Sequence, residues 1–241
     1  MSGQYVYNRV LLKISGETLK GNLDHGYEAS AIEEVVKKVG AVVDDGVELA
    51  LVVGAGNVWR GVMGTSDGMD RVSADYMGML ATAMNALCLK EAFSTAGFSA
   101  EIQSSIPMEP ALPRYDRGKA LRALDEGRIV IFAGGTGSPF FTTDTTASLR
   151  ALEIGAQAVL KATKVDGVYS ADPMRDPDAT RFERLSFDEA LSKKLAVMDS
   201  TAFSMCRDND LPILVFDFFA EGSLEAALSG DTSTATIVSS E

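Results

Sequence analysis

The stretch Gly134–Ala147 reads GGTGSPFFTTDTTA and sets a glycine turn, a run of threonines and one carboxylate between a strand-like and a helix-like segment. Backbone N–H groups at a helix start have no internal partner, and the local dipole favours an anion there by roughly 0.3–1 kcal/mol. The threonine hydroxyls add donors. Asp144 would repel a bare phosphate, but it would hold Mg²⁺ bridged to one, or orient a lysine beside it. A plainer reading makes Gly134, Gly135 and Gly137 a tight turn, with Thr143 or Asp144 as a helix cap.

Two further strand ends carry the same kind of loop. Leu49–Val53 is a strand running into Gly54, Ala55, Gly56, Asn57, Val58, Trp59, Arg60 and Gly61, and Arg60 offers a planar cation that can clasp a phosphate bidentately. Val10–Ile14 is apolar apart from Lys13, which stands just before Ser15, Gly16 and Glu17. A lysine near the end of a buried strand must find an anionic partner or lose its charge.

The elements that position these loops alternate strand and helix. Strands are expected at Arg9–Ile14, Leu49–Val53, Phe98–Gln103, Arg128–Ala133, Ala156–Lys161, Ile213–Phe218 and near Thr236. Helices are expected at about Glu28–Asp44, with Ile32, Val35, Val36, Val39 and Val43 inward, and at Val72–Ala96, with Leu80, Met84, Leu87 and Phe93 inward. Further helices follow at Asp116–Glu126, from Thr143, after Ser186 with its capping-box partner Glu189, at Asp199–Arg207 and at Ser223–Leu228. Thr163–Arg181, with glycine and Asp-Pro pairs, reads as an ordered loop or small hairpin. The succession implies an α/β fold, a mainly parallel sheet sandwiched between helices, whose ligands collect outside the carboxyl ends of the strands. All three anion loops fall at such ends.

Composition narrows the chemistry. The 241 residues, free of linkers and repeats, fit one domain spanning 1–241, and a formal charge of −12 argues against a nucleic-acid surface. Small anions remain admissible, since local cations and N–H groups bind them. His25 is the sole histidine and reads as a loop residue, which disfavours mechanisms built on imidazole. Cys88 and Cys206 are far apart, in helical segments, and read as buried hydrophobes rather than a disulfide. No apolar run approaches the ~18 residues of a membrane span and no signal core opens the chain, so a cytoplasmic protein is expected. Neither Gly-Lys-Ser/Thr nor a completed G-x-G-x-x-G is present, which excludes P-loop kinases and ordinary dehydrogenases.

The chain resembles the amino-acid-kinase fold, and within it the bacterial uridylate kinases, through KISGE (Lys13–Glu17), VGAGNVWRG (Val53–Gly61) and DYMGMLATAMN (Asp75–Asn85). The likeness continues through GTGSPFFTTDT (Gly135–Thr145), KATKVDGVYSADP (Lys161–Pro173) and MDSTAF (Met198–Phe203). It implies transfer of the ATP γ-phosphoryl group to UMP with Mg²⁺, giving UDP and ADP, in pyrimidine nucleotide biosynthesis. It implies Lys13, Arg60 and Asp144 as the catalytic charges, with Mg²⁺ arriving on the nucleotide or held partly by Asp144. For ATP it implies Lys13, Ile14, Ser15, Gly16, Gly56, Arg60, Thr163, Tyr169 and Asp172. For UMP it implies Ala55, Asp75 at the ribose, and the loop Thr136, Gly137, Ser138, Pro139, Phe140, Phe141, Thr142 and Thr143. Lys161 is a weaker second charge-neutralising lysine, and Asp199 reads first as a helix cap. The family also implies a homohexamer, for which Met77–Met84 offers an interface, with GTP as activator and UTP as inhibitor. Gly21, Asn22, Leu23, Asp24, His25 and Gly26 match the region tied to the GTP response.

Two positions depart from the family pattern: Ala55 stands where relatives commonly carry a third glycine, and Ser138 where they carry asparagine. Neither removes a charge, so altered affinity is expected rather than a lost reaction, provided Ala55 keeps a negative φ. Two other readings compete: a kinase of the same fold acting on an amino acid or carbamate, and a nucleotide-binding storage or regulatory protein without turnover. Asp75 and the FFTTDT loop argue against the first, and Lys13, Arg60 and Asp144 against the second.

Overall fold

The computed structural model describes residues 5–60, 68–195 and 197–240. Among them the strands are β1 (Arg9–Ile14), β2 (Glu48–Val53), β3 (Ala100–Ser104), β4 (Ile129–Ala133), β5 (Ala158–Thr163), β6 (Val168–Tyr169), β7 (Arg181–Phe182), β8 (Arg184–Ser186), β9 (Ile213–Asp217) and β10 (Ala235–Ser239). The helices are α1 (Glu17–Lys20), α2 (Ala29–Asp44), α3 (Arg71–Thr95), α4 (Arg117–Asp125), α5 (Thr143–Ile154), α6 (Phe187–Ser192), α7 (Ser200–Asp208) and α8 (Ser223–Leu228).

Eight strands form one sheet in the order β3-β4-β2-β1-β5-β9-β10-β8. Neighbours run parallel except β9 and β10, which are antiparallel. The mainly parallel α/β sandwich is therefore the fold of this chain. β6 and β7 form the small antiparallel hairpin expected between Thr163 and Arg181.

Helices cover both faces, so the central strands are apolar on both sides. On β1, the two-residue strand period sends Val10, Leu12 and Ile14 to one face, where they join Val35, Val39, Leu89 and Phe93 of α2 and α3. Leu11 goes to the opposite face with Ala147, Ala151 and Ile154 of α5. The same alternation carries Lys13 to the α5 face.

One predicted face is wrong in three of its four residues, with Phe93 alone buried as expected. Leu80, Met84 and Leu87 are 42%, 51% and 40% exposed, while the buried side of α3 is Ala74, Met79, Ala83, Ala86, Leu89 and Phe93. Small alanines let the helix lie close on the sheet, and the larger side chains, Tyr76 and Met77 included, form an outward stripe. α3 is apolar almost all round, so periodicity alone did not choose its inner face. Two short elements also went unforeseen, α1 and β8.

Candidate active site

Lys13 is the next-to-last residue of β1, and Lys161 lies beside it in the parallel register on β5. Two ammonium groups on adjacent strands of one face repel unless an anion separates them. Asp144, in the first turn of α5, supplies it: Lys13 Nζ lies 2.8 Å from Oδ1, and Lys161 Nζ donates to Oδ2 at 2.8 Å. The Lys13 contact is an ion pair outside hydrogen-bonding alignment, whereas Lys161 donates a second bond to the Val197 carbonyl at 2.5 Å. The side chains of Lys13, Asp144 and Lys161 are only 14%, 12% and 17% exposed. Burial alone would raise the Asp144 carboxyl, but the two ammonium groups outweigh it and hold the group below its ordinary value.

Local structure fixes that carboxylate. Thr142, not Thr143 or Asp144, is the N-cap of α5, because its hydroxyl accepts from Asp144 N–H at 3.0 Å and Thr145 N–H at 3.3 Å. The cap expected at Thr143 or Asp144 lies one or two residues late, so Asp144 stands inside the first turn, turned toward the sheet. The Thr142 hydroxyl donates to Asp199 at 2.5 Å, and Asp199 caps α7 through Thr201 and Ala202 N–H groups. Asp199 is thus the helix cap expected, and it also ties α7 to the start of α5.

The three glycine-bearing turns converge on this triad at the carboxyl ends of β1, β2 and β4. At Gly16 a Cβ atom would meet Gly54 O at 2.4 Å, Asn57 Oδ1 at 2.6 Å and Gly56 N at 2.7 Å, so the first two turns touch where only glycine fits. Gly134 has φ 75° and its missing Cβ would meet Ser104 Oγ at 2.8 Å; its N–H donates to the Thr82 hydroxyl at 3.0 Å. Ala55 is not among the described non-glycine residues with positive φ, so the departure from glycine costs no backbone strain. Ser138 sits in a tight turn with Thr136, donating its N–H to the threonine hydroxyl at 3.2 Å.

Two clefts open on either side of the triad. The larger, of about 530 Å³, brings Thr163, Tyr169 and Asp172 together with Lys161, Gly167, Lys193, Lys194 and Val197. The Tyr169 hydroxyl donates to Asp166 at 2.6 Å, and that carboxylate pushes the phenol up. Asp172 also stabilises the turn at Pro173, accepting from Met174 N–H at 3.0 Å. The smaller cleft, of about 130 Å³, brings Ala55, Asp75, Ser138, Phe141, Thr142 and Thr143 together with Trp59, Met79 and Thr82. Asp75 takes the Arg71 Nε at 2.9 Å on both oxygens and the Phe140 N–H at 2.8 Å. Phe140 has φ 71°, an uncommon value for a non-glycine residue, and is 64% exposed.

Arg60 pairs with Glu17, which also takes Lys164 at 3.3 Å; Gly61 lies outside the described residues. Residues 21–26 line neither cleft and form an exposed loop that includes His25. Cys88 and Cys206 are unpaired; Cys206 is buried as expected, pushed up to about 11 by burial with its Ser148 hydrogen bond opposing, while Cys88 is only half-buried. Sequence reading undervalued Lys161, though it carries the same signal as Lys13, a cation inside an otherwise apolar strand. It missed Lys193 and Lys194, which reach the larger cleft from an element remote in sequence, and it gave no role to Trp59 and Thr82, which line the smaller cleft from within the quoted VGAGNVWRG and DYMGMLATAMN segments.

Both oxygens of Asp144 face ammonium groups, which favours its role as lysine orienter over metal ligand. Among the described residues no group of three or more His, Cys, Asp or Glu side chains is placed to hold a metal ion. No helix among them is long and apolar enough to cross a membrane.

The amino acid kinase family model matches residues 8–217. Among solved structures, the chain is similar to a UMP kinase from Bacillus anthracis at 34% identity and TM-score 0.93, covering 98% of this chain and 97% of that one. A UMP kinase from Ureaplasma parvum matches at 33% identity and TM-score 0.91, covering 97% and 99%. A uridylate kinase from Archaeoglobus fulgidus matches at 28% identity and TM-score 0.72, covering 95% and 99%.

Proposed function

The chain belongs to the amino acid kinase family, and from that premise we propose that it is a UMP kinase, moving the γ-phosphoryl group of ATP to UMP and giving UDP and ADP. The observation that carries the reading is the position of the Lys13–Asp144–Lys161 triad between two clefts: Lys161 lines the larger, and Thr143, beside Asp144, lines the smaller. Two nucleotides seated one in each cleft would meet at the two lysines.

The acceptor is a phosphate oxygen already ionised at neutral pH, so no general base is needed and the lack of a second histidine is no obstacle. The oxygen–phosphorus bond to UMP forms as the bond to the β-phosphate oxygen breaks, and ADP leaves with that electron pair. What the protein supplies is alignment and charge stabilisation. Lys13 and Lys161, held apart by Asp144, face the equatorial oxygens, and Arg60 with the N–H groups of Ser15, Gly16 and Gly56 holds the phosphates. Mg²⁺ enters as part of the donor, Mg·ATP. Tyr169, Thr163 and Asp172 serve the ATP nucleoside. Asp75 serves the UMP ribose, and residues 136–143 the rest of UMP.

The same proposal takes 1–241 as one domain working in the cytoplasm in pyrimidine nucleotide biosynthesis, as a homohexamer activated by GTP near residues 21–26 and inhibited by UTP. The outward stripe of Tyr76, Met77, Leu80, Met84 and Leu87 supports an assembled state, because it is apolar surface a monomer leaves in water.

The test is ADP release from Mg·ATP with UMP, CMP, dUMP, glutamate, acetylglutamate or carbamate as acceptor, with UDP detected directly. UMP-selective release with UDP formed is expected. Release with an amino acid or carbamate moves the substrate while keeping the family, and nucleotide binding without release overturns the kinase reading.

A further inference from the structure

Two asparagines outside the phosphate-contacting set form a buried side-chain pair at the root of the second turn. Asn57 and Asn85 are 1% and 0% exposed. Their amides bond reciprocally, Asn57 Nδ2 donating to Asn85 Oδ1 at 3.0 Å and Asn85 Nδ2 to Asn57 Oδ1 at 2.8 Å. The remaining hydrogens of the pair go to backbone: Asn85 Nδ2 donates to Gly54 O at 2.7 Å and Asn57 Nδ2 to Gly26 O at 3.1 Å. Gly26 N–H returns a bond to Asn57 O at 2.8 Å. The pair thus joins α3, the turn after β2 and the loop after α1, while Asn57 Oδ1 also faces the bare Cα of Gly16.

Buried amides cost stability unless every donor and acceptor is met, and a helix on an alanine-rich face has cheaper ways to pack. A pair satisfied so fully, and spent on one carbonyl of the Gly54–Gly56 turn, fixes where that turn stands against Gly16. We propose that Asn85, through Asn57 and Gly54, is a positioning residue for phosphoryl transfer: it sets the separation of the first and second phosphate turns and therefore the alignment of donor and acceptor phosphates. The inference rests on the kinase reading above. Because Asn85 touches no substrate, its removal acts on turnover rather than on ground-state binding.

The test compares Asn85→Leu, close in size but without donors or acceptors, with Val39→Ala, a core truncation on α2 that lines neither cleft. Both lose stability, and both are assayed well below their own melting midpoints. Asn85→Leu is expected to lower kcat on the order of ten- to hundredfold with KM for both substrates within about threefold, since misplacement of that kind can cost two orders of magnitude. Val39→Ala should keep wild-type kcat. Hydrogen–deuterium exchange of a peptide covering residues 54–60 should quicken in Asn85→Leu alone. If Asn85→Leu fails to fold, Asn85→Ser, which reaches neither partner, takes its place. A kcat within twofold of wild type, or an equal loss in Val39→Ala, overturns the proposal. If the wild-type protein shows no UMP-dependent turnover, the kinase reading fails and the exchange comparison still decides whether Asn85 orders the turn.

Discussion

Replacing Asp144 by asparagine preserves the outline of the side chain and removes the negative charge held between Lys13 and Lys161. Each lysine nitrogen is 2.8 Å from a carboxylate oxygen, and all three side chains are less than one-fifth exposed. Severing a buried pair costs about 3–5 kcal/mol, because the stranded charge stays desolvated. For a chain of this size that predicts a melting midpoint lower by roughly 6–20 °C. Turnover should fall by about 10²–10³, the usual cost of a misplaced charge-stabilising group. Adding Lys161→Met removes one stranded cation, so the double variant should regain part of the stability without regaining turnover. Urea unfolding gives the first quantity, and ADP release with UMP gives the second. The acid limb has a definite sign. The folded Asp144 carboxyl lies below its ordinary value, so its stabilisation is fully present above the ordinary aspartate range of about 3.9 and is lost as pH falls through the folded value. The stability gap between wild type and Asp144→Asn should therefore stay level above about pH 5 and close only in stronger acid. A variant within about 1 kcal/mol of wild type and fully active would refute the triad as the organising charge.

Arg60→Lys keeps the charge but loses the planar fork, and the side chain is 54% exposed, so kcat/KM should fall at least about tenfold with an unchanged melting midpoint. Asp75→Asn should raise KM for UMP while leaving KM for ATP alone, because Asp75 lines the smaller cleft and no part of the larger one; a shift in the ATP constant instead would reassign the clefts. Gly16→Ala places a methyl against the backbone atoms Gly54 O and Gly56 N and against Asn57 Oδ1, itself held in the buried asparagine pair, so soluble yield and turnover should both collapse, and a well-folded active variant would show that the turns can separate.

Much of this was legible in the chain. Lys13 in an apolar strand, the glycines after β2 and β4 and the lone acid among threonines each marked a strand end whose residues could take an anion, and the structure brings those ends together. Thr163–Arg181 read as an ordered loop or small hairpin from its glycine and Asp-Pro pairs, and the β6–β7 pair chose the hairpin. The inner face of α3 was not legible, because apolar residues on every side leave the choice to the fit of alanines against β-strands. Nor was the partner of Asp144, which local spacing leaves open to a metal or a lysine. That depended on the register that puts Lys13 beside Lys161 and on the turn of α5 that lowers a carboxylate between them. The sequence by itself determined most of the strands, their mainly parallel arrangement and the residue types placed at their ends, because propensity, period and turn residues are local properties. Only the tertiary structure decided which charges meet, which glycines lack room for a methyl, and that Asn57 and Asn85 close on one carbonyl, because contacts between residues far apart in sequence are set by the packing of the whole sheet.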